Sequence, residues 1–109
     1  MSTVSTHVLD TSLGKPAAGI RVTLRHDTSL IGSGETDDDG RVRDLLASDS
    51  ALAEGDYTLT FAVADYFAAT KRNAFYGDIT INFRIGSASE HYHVPLLLSP
   101  FGYSTYRGS

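Results

Sequence analysis

Residues 18–27 read AGIRVTLRHD. In an extended chain successive side chains alternate faces, so Ile20, Val22 and Leu24 gather on one side while Arg21, Thr23 and Arg25 take the other. That pattern, with its β-branched residues, describes a half-buried strand rather than a helix. The same period of two recurs in both directions. In THVLDT (6–11) His7 and Leu9 face opposite to Val8 and Asp10, so one face of this strand carries His7. SLGKPAAG (12–19) supplies a turn between these two strands. LIGSGETDDDGRVRDL (30–45) reads as a strand, an acidic turn closing on Gly40 and a short return strand. EGDYTLTFAVADYF (54–67) continues with Tyr57, Leu59, Phe61 and Val63 on one side, and DITINFRI (78–85) alternates Ile79, Ile81, Phe83 and Ile85. GSASE (86–90) is a turn, HYHVPLLLS (91–99) a last long strand, and only ADYFAATKR (64–72) has the pattern of a helical turn. About seven or eight strands with turn residues roughly every eight to twelve positions predict an all-β fold, an antiparallel Greek-key β-sandwich with one short helix. It is expected to fill residues 1–109 as a single domain. Unprotected edge strands pair with other chains, so a symmetric dimer or higher assembly is expected as well.

Composition excludes several function classes. A chain of 109 residues buries roughly two-thirds of its unfolded surface, enough for one core but with little margin. Hydrophobic residues make up 41% and charged residues 20%, which fits a packed domain rather than a disordered one. The net charge of −4 and the lack of any basic stripe give no reason to expect nucleic acid. Cysteine is absent, so neither disulfides nor thiolate chemistry operate. MSTVSTHVLD has no secretory pattern, and no stretch reaches the roughly 18 apolar residues of a membrane span. No membrane association and a cytoplasmic location are therefore expected.

Three places carry candidate chemistry. His91 and His93, two apart on a strand, project from one face while Tyr92, Val94 and Leu96 take the other. They can be half-solvated surface residues, two ligands of a three-histidine zinc site completed by His7, or members of an active site. Glu35, Asp37, Asp39 and Gly40 match the start of a calcium loop, but Leu46 stands where a bidentate Glu is needed. A tight hairpin explains the turn better, with Asp giving local hydrogen bonds and Gly a positive φ, and it leaves Arg41 at the mouth of a strand. The ending LLLSPFGYSTYRGS carries Phe101, Tyr103 and Tyr106 almost to Ser109, which predicts a docked tail rather than a frayed one. Nucleophile elbows, Walker loops and dinucleotide fingerprints do not occur, so histidine and arginine are the available catalytic tools.

STHVLDTSLGKPAAGI, TDDDGR, HYHVPLLLSPFGYSTY and above all the final YRGS closely resemble the 5-hydroxyisourate hydrolases, enzymatic relatives of transthyretin. The resemblance runs over almost the whole chain and implies a transthyretin-like (prealbumin-like) sandwich. It implies a catalytic set of His7, Arg41 and His93, with Tyr106, Arg107, Gly108 and Ser109 at the substrate and His91 in a supporting place. The reaction implied is hydrolytic opening of the cyclic amide of 5-hydroxyisourate to 2-oxo-4-hydroxy-4-carboxy-5-ureidoimidazoline, a step of urate degradation, without metal or cofactor. The implied assembly is a homotetramer, a dimer of dimers with its active sites in the channel between them. Two alternatives share parts of this pattern: a non-catalytic transthyretin-like ligand-binding module, and a hydrolase built on three histidines and zinc.

Overall fold

A computed structural model describes residues 3–46, 52–87 and 89–109. The first two residues of the stretch read as lacking a secretory pattern, and the centre of the 86–90 turn, lie outside these described residues. Among the described residues nine strands and one helix follow in order: β1 (Thr3–Asp10), β2 (Lys15–Pro16), β3 (Arg21–His26), β4 (Ser29–Glu35), β5 (Arg41–Val42), β6 (Gly55–Phe61), α1 (Val63–Ala69), β7 (Ile79–Ile85), β8 (His91–Ser99) and β9 (Gly102–Thr105). One sheet runs β2-β1-β8-β9 with β5 also paired to β1, and the other runs β4-β3-β6-β7. All pairings are antiparallel except that of the two long strands β1 and β8, which lie parallel with Ser5 opposite His93 and His7 opposite Pro95. The two strands beyond the seven expected at the low end are the two-residue β2 and the four-residue β9.

The alternation seen in the sequence decides which faces meet. Val22 and Leu24 of β3 and Tyr57, Leu59 and Phe61 of β6 bury against Val4 and Val8 of β1 and Val94, Leu96 and Leu98 of β8. Burying one such aliphatic or aromatic side chain contributes on the order of 1.5–3 kcal/mol, so this shared core dominates what holds the two sheets together. α1 lays Val63 and Phe67 on the same core. At the end of β1 the buried Asp10 carboxylate accepts hydrogen bonds from the Tyr66 hydroxyl at 2.7 Å and from Arg72 at 2.5 Å, tying the helix and the segment after it to the strand.

The acidic turn departs from the expected hairpin. β5 does not return along β4; it crosses to the opposite sheet and pairs with β1, placing His7 opposite Arg41. Thr36 secures the crossing: its hydroxyl accepts from the Ile20 amide at 2.9 Å and donates to the Ala17 carbonyl at 2.8 Å. The turn itself is built as the sequence suggests. Asp37 accepts the amides of Asp39 (2.9 Å) and Arg41 (3.0 Å). Gly40 adopts φ 77°, and its carbonyl accepts the Val8 amide at 2.7 Å. A Cβ at Gly40 would stand 2.4 Å from the Val8 carbonyl oxygen, so only glycine lets the turn press this closely on β1. A local turn thus fixes a distant neighbour: Arg41 is carried next to His7 because Gly40 can touch the first strand.

Candidate active site

On the outer face of the β5-β1-β8 sheet lies a cleft of about 260 Å³, open to solvent, whose lining includes Ser5, Arg41, Arg43, His91, His93 and Ser109. His7, half-buried on the same face of β1 as Ser5, stands between Arg41 on one side and β8 on the other. His7, Arg41 and His93 come from positions far apart in the sequence, and the sheet register alone brings them side by side.

His91 and His93 are held by hydroxyl groups of β1. Ser5 Oγ lies 2.8 Å from His93 Nδ1 and 3.3 Å from His91 Nε2. Thr3 Oγ1 is hydrogen-bonded to His91 Nδ1. The two rings are nearly parallel, inclined by 13° with centroids 6.3 Å apart, as same-face neighbours on one strand should be. Ser5 and Thr3 were missed in the sequence reading, although the signal is there: they precede His7 by two and four residues and so share its face. Burial pushes the His93 pKa down, and the nearby charges of Arg41, His91 and His7 push it the same way. Both effects disfavour the imidazolium, which leaves a neutral ring able to accept a proton at neutral pH. Asp37, by contrast, is held below the usual carboxylate range chiefly by the Arg41 amide it accepts, so the turn that presents Arg41 stays ionised.

The tail divides. The Gly108 amide donates to the His93 carbonyl at 2.8 Å, and Gly108 packs so tightly that a Cβ there would lie 2.4 Å from His93 Cδ2. This seats Ser109 in the cleft. Arg107 turns the other way: its guanidinium stacks 4.7 Å over the Tyr92 ring and meets Glu90 at 3.3 Å. It reaches the His91 backbone carbonyl, at 3.4 Å, and not an imidazole. Tyr106, 58% exposed, lies with Arg107 along a separate apolar groove against Ile81 and Phe83 of β7. Within one protomer, then, Gly108 and Ser109 join His7, Arg41 and His93, while Tyr106 and Arg107 do not.

Among the described residues no three histidine, cysteine or carboxylate side chains converge with metal-ligand geometry. His91 and His93 share a serine hydroxyl between them instead. In the acidic 35–39 turn, Asp37 spends its carboxylate on the backbone amides of Asp39 and Arg41.

The model of the HIUase/Transthyretin family matches residues 4–108. The 5-hydroxyisourate hydrolase of Deinococcus radiodurans is 46% identical over 113 residues, covering 97% of this chain and 95% of that protein. The structure of Klebsiella pneumoniae 5-hydroxyisourate hydrolase superimposes with a TM-score of 0.90 at 39% identity, covering both chains completely (100% each). Transthyretin from Sparus aurata matches nearly as well in shape, with a TM-score of 0.89, but at 25% identity over 97% of this chain and 96% of that one. The family match over nearly the whole chain, the identity to a curated relative and the shared sandwich agree, and this chain belongs to the HIUase/Transthyretin family.

Proposed function

We propose that this chain hydrolyses 5-hydroxyisourate, opening its cyclic amide to 2-oxo-4-hydroxy-4-carboxy-5-ureidoimidazoline. The observation that carries the reading is the convergence of Arg41, His93 and Ser109 on one water-accessible cleft, with His7 paired opposite Arg41 on the adjoining strand. In the proposed reaction water adds to the ring carbonyl, the ring C–N bond breaks, and the departing nitrogen takes up a proton. His93 suits the first step, since burial and then the nearby Arg41 lower its pKa and favour the neutral ring. A positioned base of this kind is worth about 10²–10⁴-fold. His7 then handles the proton on the ring. Arg41 is planar and permanently charged; it holds the substrate oxygens by paired hydrogen bonds and stabilises the negative charge that builds as the carbonyl becomes tetrahedral. Ser109 lines the cleft, Gly108 packs against His93, and Arg107 anchors the tail through Tyr92 and Glu90.

Assembly completes the proposal. β7 and β9 end their sheets, and Phe101, Phe75, Tyr76 and Tyr103 stand exposed. Such edges and aromatic surfaces support a homotetramer in which clefts of neighbouring protomers face one another, with Tyr106 contributing at an interface rather than within its own protomer. Among the described residues no helix is long and apolar enough to cross a membrane, and a cytoplasmic place of action forms part of the same reading. A binding module of transthyretin type has no need for two imidazoles and a guanidinium at this face. The test is direct: 5-hydroxyisourate is generated afresh by urate oxidation, and its absorbance decay is followed with and without the purified protein. Marked acceleration is expected; a decay matching the spontaneous one would overturn the assignment.

A further inference from the structure

Ser5 is 7% exposed, and its single hydroxyl stands between two imidazoles, at 2.8 Å from His93 Nδ1 and 3.3 Å from His91 Nε2. Beyond His91 the chain of contacts continues to Thr3 Oγ1 and then to solvent, since His91 is exposed. Among the described residues His93 Nε2 has no protein hydrogen-bond partner, and the ring lines the cleft. Thr3, His91, Ser5 and His93 thus form a continuous line of groups, each of which can donate as well as accept. A hydroxyl fixed in such a place dictates the tautomers of both rings: when it donates to one imidazole it must accept from the other.

We infer that Ser5 is a positioning residue that couples His93 to His91 as a proton relay, so that a proton gained at the cleft end of His93 is released at the solvent end. The balance is simple. As water adds to the substrate, one proton binds His93 Nε2; the proton on His93 Nδ1 passes to Ser5 Oγ, and the proton of Ser5 passes to His91 Nε2. His91 then carries the positive charge, next to solvent, and Arg41 faces a neutral His93 rather than a second cation. The relay explains the spacing of the two histidines, which the hydrolytic scheme by itself does not use: the ring two residues before His93 is on the same face and within reach of the same hydroxyl. It also explains why a small hydroxyl residue occupies a buried position in β1, where a strand facing only water would accept any polar side chain.

The inference rests on the hydrolase reading, and its main test does not depend on substrate. The ring nitrogens of His91 and His93 are observed by ¹⁵N NMR in the wild-type protein and in Ser5→Ala and Ser5→Thr variants. One well-defined tautomer at His93 is expected in the wild type and in Ser5→Thr, and an averaged mixture in Ser5→Ala, with a concurrent change at His91. Unchanged ¹⁵N shifts of both rings in Ser5→Ala would overturn the relay. On freshly generated 5-hydroxyisourate, Ser5→Ala should lower kcat about tenfold with KM within about twofold, and Ser5→Thr should restore it. A loss expressed only in KM, or one that threonine does not restore, would mean that Ser5 shapes the cleft without moving protons. A wild-type protein inactive on this substrate, with the NMR coupling intact, would defeat the hydrolase reading and leave the relay standing.

Discussion

The first strand carries two polar constellations, one at each end of its length and on opposite faces. At Asp10 the carboxylate is completely buried, at 0% exposure, and every partner is supplied: Arg72, the Tyr66 hydroxyl, and the Ser12 hydroxyl and amide. Burial alone would raise the Asp10 pKa, yet these hydrogen bonds and the guanidinium charge hold it well below the usual carboxylate range. Burial and the neighbouring carboxylate drive Tyr66 the other way, up to about 12. At Ser5 and His7 the opposite design holds. Cationic or potentially cationic groups crowd together, no carboxylate side chain among the described residues lines the cleft, and the lining stays open to water. Opposite charges closed off from solvent lock an element in place; like charges left open keep groups reactive. The first arrangement ties α1 to the sandwich, and the second faces the substrate.

That contrast is most sharply broken by substitution at the open end. His7→Ala, Arg41→Ala and His93→Ala are each expected to lower kcat/KM for 5-hydroxyisourate by about 10²–10⁴-fold. Thermal unfolding followed by circular dichroism should scarcely move, because none of the three side chains belongs to the buried core. A full-activity His93→Ala protein would refute the site assignment, and a large drop in melting temperature would show that this cluster is structural after all.

At the closed end the expectation reverses. Asp10→Asn leaves Arg72 and Tyr66 facing a neutral amide and should cost about 2–4 kcal/mol at neutral pH, with activity per folded molecule nearly unchanged. The folded pKa of Asp10 is depressed, so its stabilisation is fully present above the unfolded value of about 3.9 and is lost as pH falls toward the folded value. Denaturant midpoints of wild type and variant should therefore converge below about pH 4. Parallel curves throughout would mean that the ion pair does not distinguish the folded state.

How much of this was legible beforehand depends on whether the signal was local. The strands were, because period-two alternation in stretches such as IRVTL and ITINF is a property of adjacent residues. The short helix was too, since ADYFAATKR breaks that period. The destination of β5 was not: the acidic turn has the chemistry of a hairpin, and only the contact of Gly40 with Val8 reveals that the chain crosses to the other sheet. His7 and His93 could be placed on strand faces from spacing, but their meeting requires the parallel β1-β8 register, which the expectation of an antiparallel sandwich did not contain. Asp10 was read merely as facing away from His7. Its partners Tyr66 and Arg72 lie more than fifty residues on, separations of 56 and 62, beyond the reach of any spacing rule. The resemblance supplied Gly108 and Ser109 as site residues; the packing supplies the reason for the glycine.

Gly108 gives a smaller and more local perturbation of the open end. Its alanine variant places a Cβ against the His93 ring, 2.4 Å from Cδ2, and either the ring or the tail must shift. Displacing a reacting group by roughly an ångström costs up to about 10²-fold, so a loss of about 10–10²-fold in kcat/KM is expected, with stability intact because Gly108 lies outside the buried core. Unimpaired turnover in Gly108→Ala would mean that the tail's contact with His93 is incidental to catalysis.

The finest distinction between the two ends is electrostatic, and it is read in the titration of a single ring. His93 is pushed down first by burial and only then by Arg41, His91 and His7, so its midpoint should fall below the unperturbed value of about 6.5. In Arg41→Met one of the like charges is gone, and the midpoint should rise without returning to the unperturbed value, because burial still opposes the imidazolium. A base whose folded pKa is depressed binds fewer protons folded than unfolded, so the fold loses stability as pH drops from about 6.5 toward the folded midpoint. Arg41→Met should shrink that loss. Were the midpoint of His93 to stay fixed in this variant, the guanidinium would be screened by solvent from a ring it nearly adjoins, and the cleft would be too wet for Arg41 to steer charge during the reaction.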